Sequence, residues 1–352
     1  MNSSIHIAQT APVRSSASLL HWALLGLTPV AAILFALCLG RYGVAPDRVL
    51  GILLAQIVPI APFWTPTDQT VVLTVRLPRI LLAAVCGAGL GVAGAALQGL
   101  FRNPLVGPQV LGLSSGAGFG GALALLFGLS GAVLVGAAFA GAWAALSVVL
   151  ILARAEGRVT VLMLVLAGII VGALFAAATS LCVFLADPEQ RLPDIVFWLL
   201  GSFASADPTR LVTATLSIGV GTAILAVLAW RIDVMSLGDE DARALGQPVE
   251  ALRIVILSGV ALIVAAQVAV SGVVGWVGLV VPHIARGFVG PDHRRLIPAS
   301  LLIGAAYLVV ADTLARIVAP AEVPLGILTA LVGAPLFAVL MRRIHKRSTF
   351  DA

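Results

Sequence analysis

The run ILLAAVCGAGLGVAGAALQGL, Ile80–Leu100, decides the fold, because it carries no charged side chain from end to end. A helix of roughly 20 apolar residues, rising about 1.5 Å per residue, crosses a hydrocarbon layer about 30 Å thick. Gly87, Gly89, Gly91 and Gly94 punctuate the run. Burying apolar surface gives helices no drive to associate in lipid, so small residues at these spacings mark a span whose backbone closely approaches its neighbours. Gly89-Leu-Gly91-Val-Ala-Gly94 also fits the GxGxxG pattern of dinucleotide-binding turns, but it lies inside an apolar span instead of after a strand, and the reading is set aside. The chain has no Walker A sequence, so any nucleotide energy must come from another polypeptide.

Working outward, the rest of the chain has the same character. Its 352 residues are 60% hydrophobic and only 11% charged, with a mean hydropathy of +1.10, which is too little polar surface to cover a water-soluble globule. An all-α polytopic membrane protein is expected, with ten spans: His21–Leu39, Ile80–Leu100, Val110–Leu129, Ala132–Ala153, Val159–Ala186, Leu211–Trp230, Ile254–Val270, Val273–Phe288, Leu296–Val318 and Leu325–Ile344. The eighth is short and contains Pro282, which predicts a broken helix. Val49–Trp64 and Ile195–Phe203 read as short helices at the membrane interface. Around a membrane domain at 21–344, residues 1–20 and 345–352 are expected as cytoplasmic tails. With both termini inside, most of the 21 Lys and Arg fall on the cytoplasmic side, including Arg342, Arg343, Lys346 and Arg347. Counting Val49–Trp64 as an eleventh span moves the N-terminus outside and fits the charges as well. Cys38, Cys86 and Cys182 sit in apolar runs without metal-ligand spacing, and the net charge of +5 suits anionic lipid headgroups, with no nucleic-acid partner expected.

Two loops carry functional signals. In Arg231–Arg253, Ser236 and Asp239 form a capping-box-like start, Asp239, Glu240 and Asp241 suit the positive end of a helix dipole, and Gly246 with Pro248 ends the pattern. That predicts a helix of about two turns over 236–246, read either as a plain connector or as a lever seated in an ATPase. The second loop, Gln98 to Gly112, packs Asn103, Pro104 and Pro108 into an apolar turn and predicts irregular backbone against protein or a wet cavity.

Together with Leu77-Pro78-Arg79, Phe197-Trp198-Leu-Leu-Gly201-Ser202, Gly275-Trp-Val-Gly-Leu-Val-Val-Pro282-His283…Arg286 and Pro324-Leu-Gly326…Gly333-Ala-Pro335, these loops make the chain resemble the FecCD family of binding-protein-dependent permeases from about Leu73 to Arg343. The resemblance implies a vitamin B12 permease-like (type II ABC importer) architecture in the bacterial inner membrane. It implies a homodimer with the pathway on its two-fold axis, two copies of an ABC ATPase and a periplasmic substrate-binding protein. The chain itself would be no enzyme and bind no cofactor, ATP and Mg being used by the ATPase. Residue by residue, it implies ATPase coupling through Ser236, Gly238, Asp239, Glu240, Arg243, Ala244, Leu245 and Gly246, a cytoplasmic gate at Asn103 and Leu105, and binding-protein docking by Arg76, Arg79 and Arg316. The expected cargo is an iron chelate, a ferric siderophore or haem, with cobalamin or molybdate as alternatives.

Plainer readings stand beside these. Arg76 and Arg79 could snorkel to headgroups, and Arg316 could pair with Asp312 one turn earlier. His283 and His293 share no helix face, so no metal site is expected. The spans carry almost no mid-membrane Asp, Glu or Lys, which weighs against the alternative of a proton-coupled secondary transporter.

Overall fold

The computed structural model describes residues 19–155 and 158–348, so Arg14 and almost all of the expected N-terminal tail lie outside the described residues. Helices dominate: α1 (Leu19–Cys38), α2 (Pro46–Leu54), α3 (Pro66–Thr70), α4 (Leu77–Leu100), α5 (Leu113–Leu126), α6 (Gly131–Leu152), α7 (Val161–Leu185), α8 (Arg191–Leu200), α9 (Pro208–Val227), α10 (Ala229–Leu237), α11 (Asp239–Ala244), α12 (Val249–Ser271), α13 (Val277–Val289), α14 (His293–Ile317) and α15 (Leu325–Ser348). A small antiparallel pair, Arg154–Ala155 with Arg158–Val159, joins α6 to α7 and takes Val159 out of the expected fifth span.

Among the described residues seven helices are long and apolar enough to cross a membrane, and the shorter apolar stretches of α5, α13 and α15 (Leu325–Val339) bring the set to the ten read from the sequence. Several boundaries lie a turn outside the apolar runs because caps recruit polar residues into the first turn. Asp207 accepts from the Thr209 and Arg210 amides to start α9, and Asp292 accepts from the Arg294 amide to start α14. The second span begins earlier still: α3, a π-helical turn Val71–Arg76 and α4 form one 35-residue helix, about 52 Å long at 1.5 Å per residue. Pro78 has no amide hydrogen to give the preceding turn, and there the Leu77 amide reaches back five residues to Val72. At the other terminus α15 runs on to Ser348, past the boundary at 345 expected for a tail.

Burial sorts the helices. The apolar windows of α4 and α12 are 83% and 78% buried and that of α14 is 61% buried, whereas α1, α6, α7 and α9 stay at or below 33%; α4, α12 and α14 therefore form the centre and the others the rim. Glycines set the spacing. A methyl group at Gly87 or Gly91 would run into the Gly304 or Ser300 carbonyl of α14, and one at Gly94 into the Gly278 carbonyl of α13. The Gly278 carbonyl is the one that Pro282 leaves without its helical donor, so the close approach of Gly94 covers it. The eighth span is broken, but not at Pro282. Helix α13 continues through the proline, and the interruption lies before it, at Gly272–Trp276, where Gly272 (φ +69°) and Trp276 (φ +68°) turn the chain.

The two short stretches hold helices of nine and ten residues, α2 and α8, too short to cross a membrane, so Val49–Trp64 is not an eleventh span.

Candidate functional site

Two polar clusters stand at opposite ends of the bundle. The first surrounds α11. Gly238 precedes it at φ +137°, a conformation suited to glycine, and a methyl there would lie 3.2 Å from the Arg102 guanidinium. Asp239, Glu240 and Asp241 fill the first turn, and Gly246 (φ +74°) closes the helix, with the Gln247 amide bonding back to Ala242 at 2.9 Å. The sequence placed the end of this helix correctly and its start wrongly. Ser236 is no cap: it lies in the last turn of α10, its hydroxyl donating to the Asp233 carbonyl at 2.6 Å. Buried Ile232, Val234 and Met235 hold this segment as a helix of its own, so the expected lever over 236–246 shrinks to Asp239–Ala244 with its flanking glycines.

The ion pairs of α11 were not foreseen. Asp239 meets Arg253 at 2.7 Å and Arg243 meets Glu250 at 2.6 Å, both partners lying on the first turns of α12. Hydrogen bonding to Glu250 holds the Arg243 guanidinium above its usual range. Arg253 is fully buried and also donates to the Val159 carbonyl. The available signal was a basic residue directly abutting an apolar run, which has to find a partner if the helix starts earlier and buries it, as α12 does. Nearby, the His293 ring bridges Asp233 of α10 (2.5 Å) and the Ala95 carbonyl of α4 (3.2 Å), in space left by Gly99. Burial works against the Asp233 charge, but the hydrogen bonds from His293 outweigh it and hold this carboxyl below the usual carboxylate range.

The Gln98–Gly112 connection lies at the same end. Arg102 takes φ +52°, the Asn103 carboxamide oxygen accepts from the Leu105 amide at 2.9 Å, and both Asn103 and Leu105 are exposed. Gln98 anchors the turn from below, accepting from Arg286 at 2.9 Å and donating to the Leu279 carbonyl at 3.3 Å. Leu105 borders a cleft of about 90 Å³ with Pro108, Gln109 and Trp276. A second cleft of about 470 Å³, between Arg102, Thr160, Gly238 and Glu240, separates this turn from α11.

The second cluster gathers Arg76, Arg79 and Arg316 around one cleft of about 230 Å³, although more than 200 residues of sequence lie between Arg79 and Arg316. None of the three snorkels: they are 4%, 8% and 7% exposed. Arg76 donates to the Leu37 carbonyl at 2.6 Å and to that of Tyr42, tying the end of α1 to α4. Arg79 forks between Asp312 (2.8 Å) and Glu322 (2.9 Å). Arg316 lies 3.3 Å from Asp312 at the i,i+4 spacing, as its plainer reading had it. With exposed Arg41 on the rim, four cations face two carboxylates, leaving an excess of positive charge.

Comparison with known proteins accords with this arrangement. The molybdate import system permease protein of Haemophilus influenzae is 41% identical over 327 residues, covering 92% of this chain and 96% of that one. The hemin transport system permease protein of Yersinia pestis is 42% identical over 285 residues, covering 78% and 84%. A solved structure described as an inward-facing conformation of a metal-chelate type ABC transporter superposes with a TM-score of 0.82 at 40% identity, covering 91% of this chain and 98% of that one. The FecCD transport family matches residues 27–343. This chain is a multi-pass membrane protein of the FecCD transport family, a permease of the type II ABC importer class.

Proposed function

We propose that the chain is the translocation subunit for an iron chelate, moved from periplasm to cytoplasm by alternating access in a homodimer with two ATPase subunits below it and a periplasmic binding protein above. The observation that carries this reading is the pairing of a short acidic helix, tied by Asp239–Arg253 and Arg243–Glu250 to a central span, with an arginine-rich cleft at the far end of the same bundle. The first suits a lever that an ATPase can push. The second suits an acidic docking face, since the planar guanidinium holds carboxylates reversibly at a wet interface.

In this reading α11 and Gly246 couple to the ATPase, the exposed Asn103 and Leu105 form the cytoplasmic gate, and the cluster around Arg76, Arg79 and Arg316 faces the periplasm. Because Arg79 is already answered within the chain, the docking charge is the surplus of the whole cluster and not one free arginine. Both termini are cytoplasmic. Coupling requires α11 to bind its ATPase with different affinity in the two states.

A second reading of the cargo, molybdate, is favoured by a specific observation: the molybdate permease matches over nearly the whole of both chains. Liposomes holding this chain with its ATPase and binding protein should accumulate a ferric siderophore, with molybdate, haem and cobalamin tested in parallel. Robust uptake by this chain alone would overturn the ATP-driven reading, and selective uptake of molybdate would overturn the iron assignment only.

A further inference from the structure

Helix α12 joins the two ends of the molecule. At its first turns, Glu250 and Arg253 lie three residues apart, facing Arg243 and Asp239, which lie four apart on α11, so the two short faces meet with alternating charge. At its last turn, Gln267 is 1% exposed and donates to the Ser271 hydroxyl (2.8 Å) and the Gly272 carbonyl (2.9 Å), stiffening the helix end. The Ser271 carbonyl accepts from the Ser202 amide at 2.8 Å, and the Gly201 carbonyl from the Leu325 amide at 2.9 Å. Gly201 (φ +78°) and Gly272 (φ +69°) press backbone against backbone there, and a methyl on Gly272 would collide with the Trp198 carbonyl. The C-terminus of α12, the C-terminus of α8 and the N-terminus of α15 therefore form one joint, about 34 Å of helix away from α11 at 1.5 Å per residue.

A fully buried arginine is poorly explained as a source of stability, since removing two charges from water offsets most of what their attraction returns. Its geometry is more telling. Arg253 fixes the angle between α11 and α12, and through Val159 the connection leading into α7. Helix α10, by contrast, is pinned to α4 and α14 by Asp233 and His293. Gly238, at φ +137°, is the joint between the pinned α10 and α11, and the ion pairs of α11 lead on into α12.

We propose that α12 is a push rod carrying the movement of α11 to the far joint of α8 and α15, and that Arg253 is the positioning residue that clamps the rod to the lever. The inference rests on the ATP-driven reading above and deepens it. The test uses the full complex of this chain, its ATPase and its binding protein in lipid nanodiscs, with Cys38, Cys86 and Cys182 replaced by alanine. Exposed Ala204, beside the far joint, is replaced by a spin-labelled cysteine, so the two copies report one distance across the dimer.

Trapping with ADP and vanadate is expected to shift that distance in the otherwise unaltered protein. Arg253→Met should lose more than half of the shift while the ATPase co-purifies in the same ratio, and Arg253→Lys, which keeps a cation opposite Asp239, should recover much of it. Glu250→Gln, a change on α12 and not on the helix that meets the ATPase, gives a milder unclamping at a partly exposed position, and is read in the same way if Arg253→Met does not fold. An undiminished shift in the unclamped proteins would overturn the rod. So would loss of the ATPase from them, which would make the cluster a docking site instead. Absence of any shift in the unaltered complex would sink the ATP-driven reading itself.

Discussion

At the scale of single residues, the buried charges of the arginine cluster are answered within the chain. Asp312 is 1% exposed and answers both Arg79 and Arg316. Asp312→Asn leaves buried Arg316 without a carboxylate and Arg79 with Glu322 alone, and should cost about 3 kcal/mol, read as a lower unfolding temperature in detergent. The Arg243–Glu250 pair is about as short but more than a third exposed on both sides, so Glu250→Gln should leave the unfolding temperature nearly unchanged. Asp233 supplies a pH dependence. Its folded-state pKa lies below the ordinary value, so its contribution is complete above about pH 4 and fades as the pH falls through the lower folded value. Asp233→Asn should flatten the acid limb of a stability-against-pH profile and leave its neutral part lower throughout.

At the scale of elements, glycine decides what touches what. Gly94 lies so close to Gly278 that Gly94→Val forces α4 and α13 apart, and overpacking of this kind costs about 1–3 kcal/mol. Gly246 is a different case: its φ of +74° with nothing crowding it makes the penalty one of backbone conformation alone. Gly246→Val should therefore leave the bundle folded, unseat the end of α11 and lower the cargo moved per ATP hydrolysed in reconstituted vesicles. Normal transport by that variant would remove α11 from the mechanism.

At the scale of the whole molecule, the arginine end carries more positive charge than its carboxylates offset. Association with an acidic binding protein should then slow as salt rises, because the screening length drops from about 30 Å at 0.01 M to about 8 Å at 0.15 M; stopped-flow rates at several ionic strengths measure this. The sequence by itself placed the ten apolar stretches, the close approach along α4 and the stop at Gly246, because each follows from local chemistry: hydropathy over about 20 residues, the missing side chain, the left-handed turn; whether Val49–Trp64 made an eleventh span it left open. It misjudged the start of α11, since Ser236 has a capping residue's chemistry and only the buried face of α10 reveals that a different helix claims it. Only the tertiary structure decided that Arg79 meets Asp312, that His293 reaches Ala95 and that Arg253 grips Asp239. A buried charge has to find an opposite charge or a carbonyl, but which one depends on how the helices pack, and no local pattern encodes that choice.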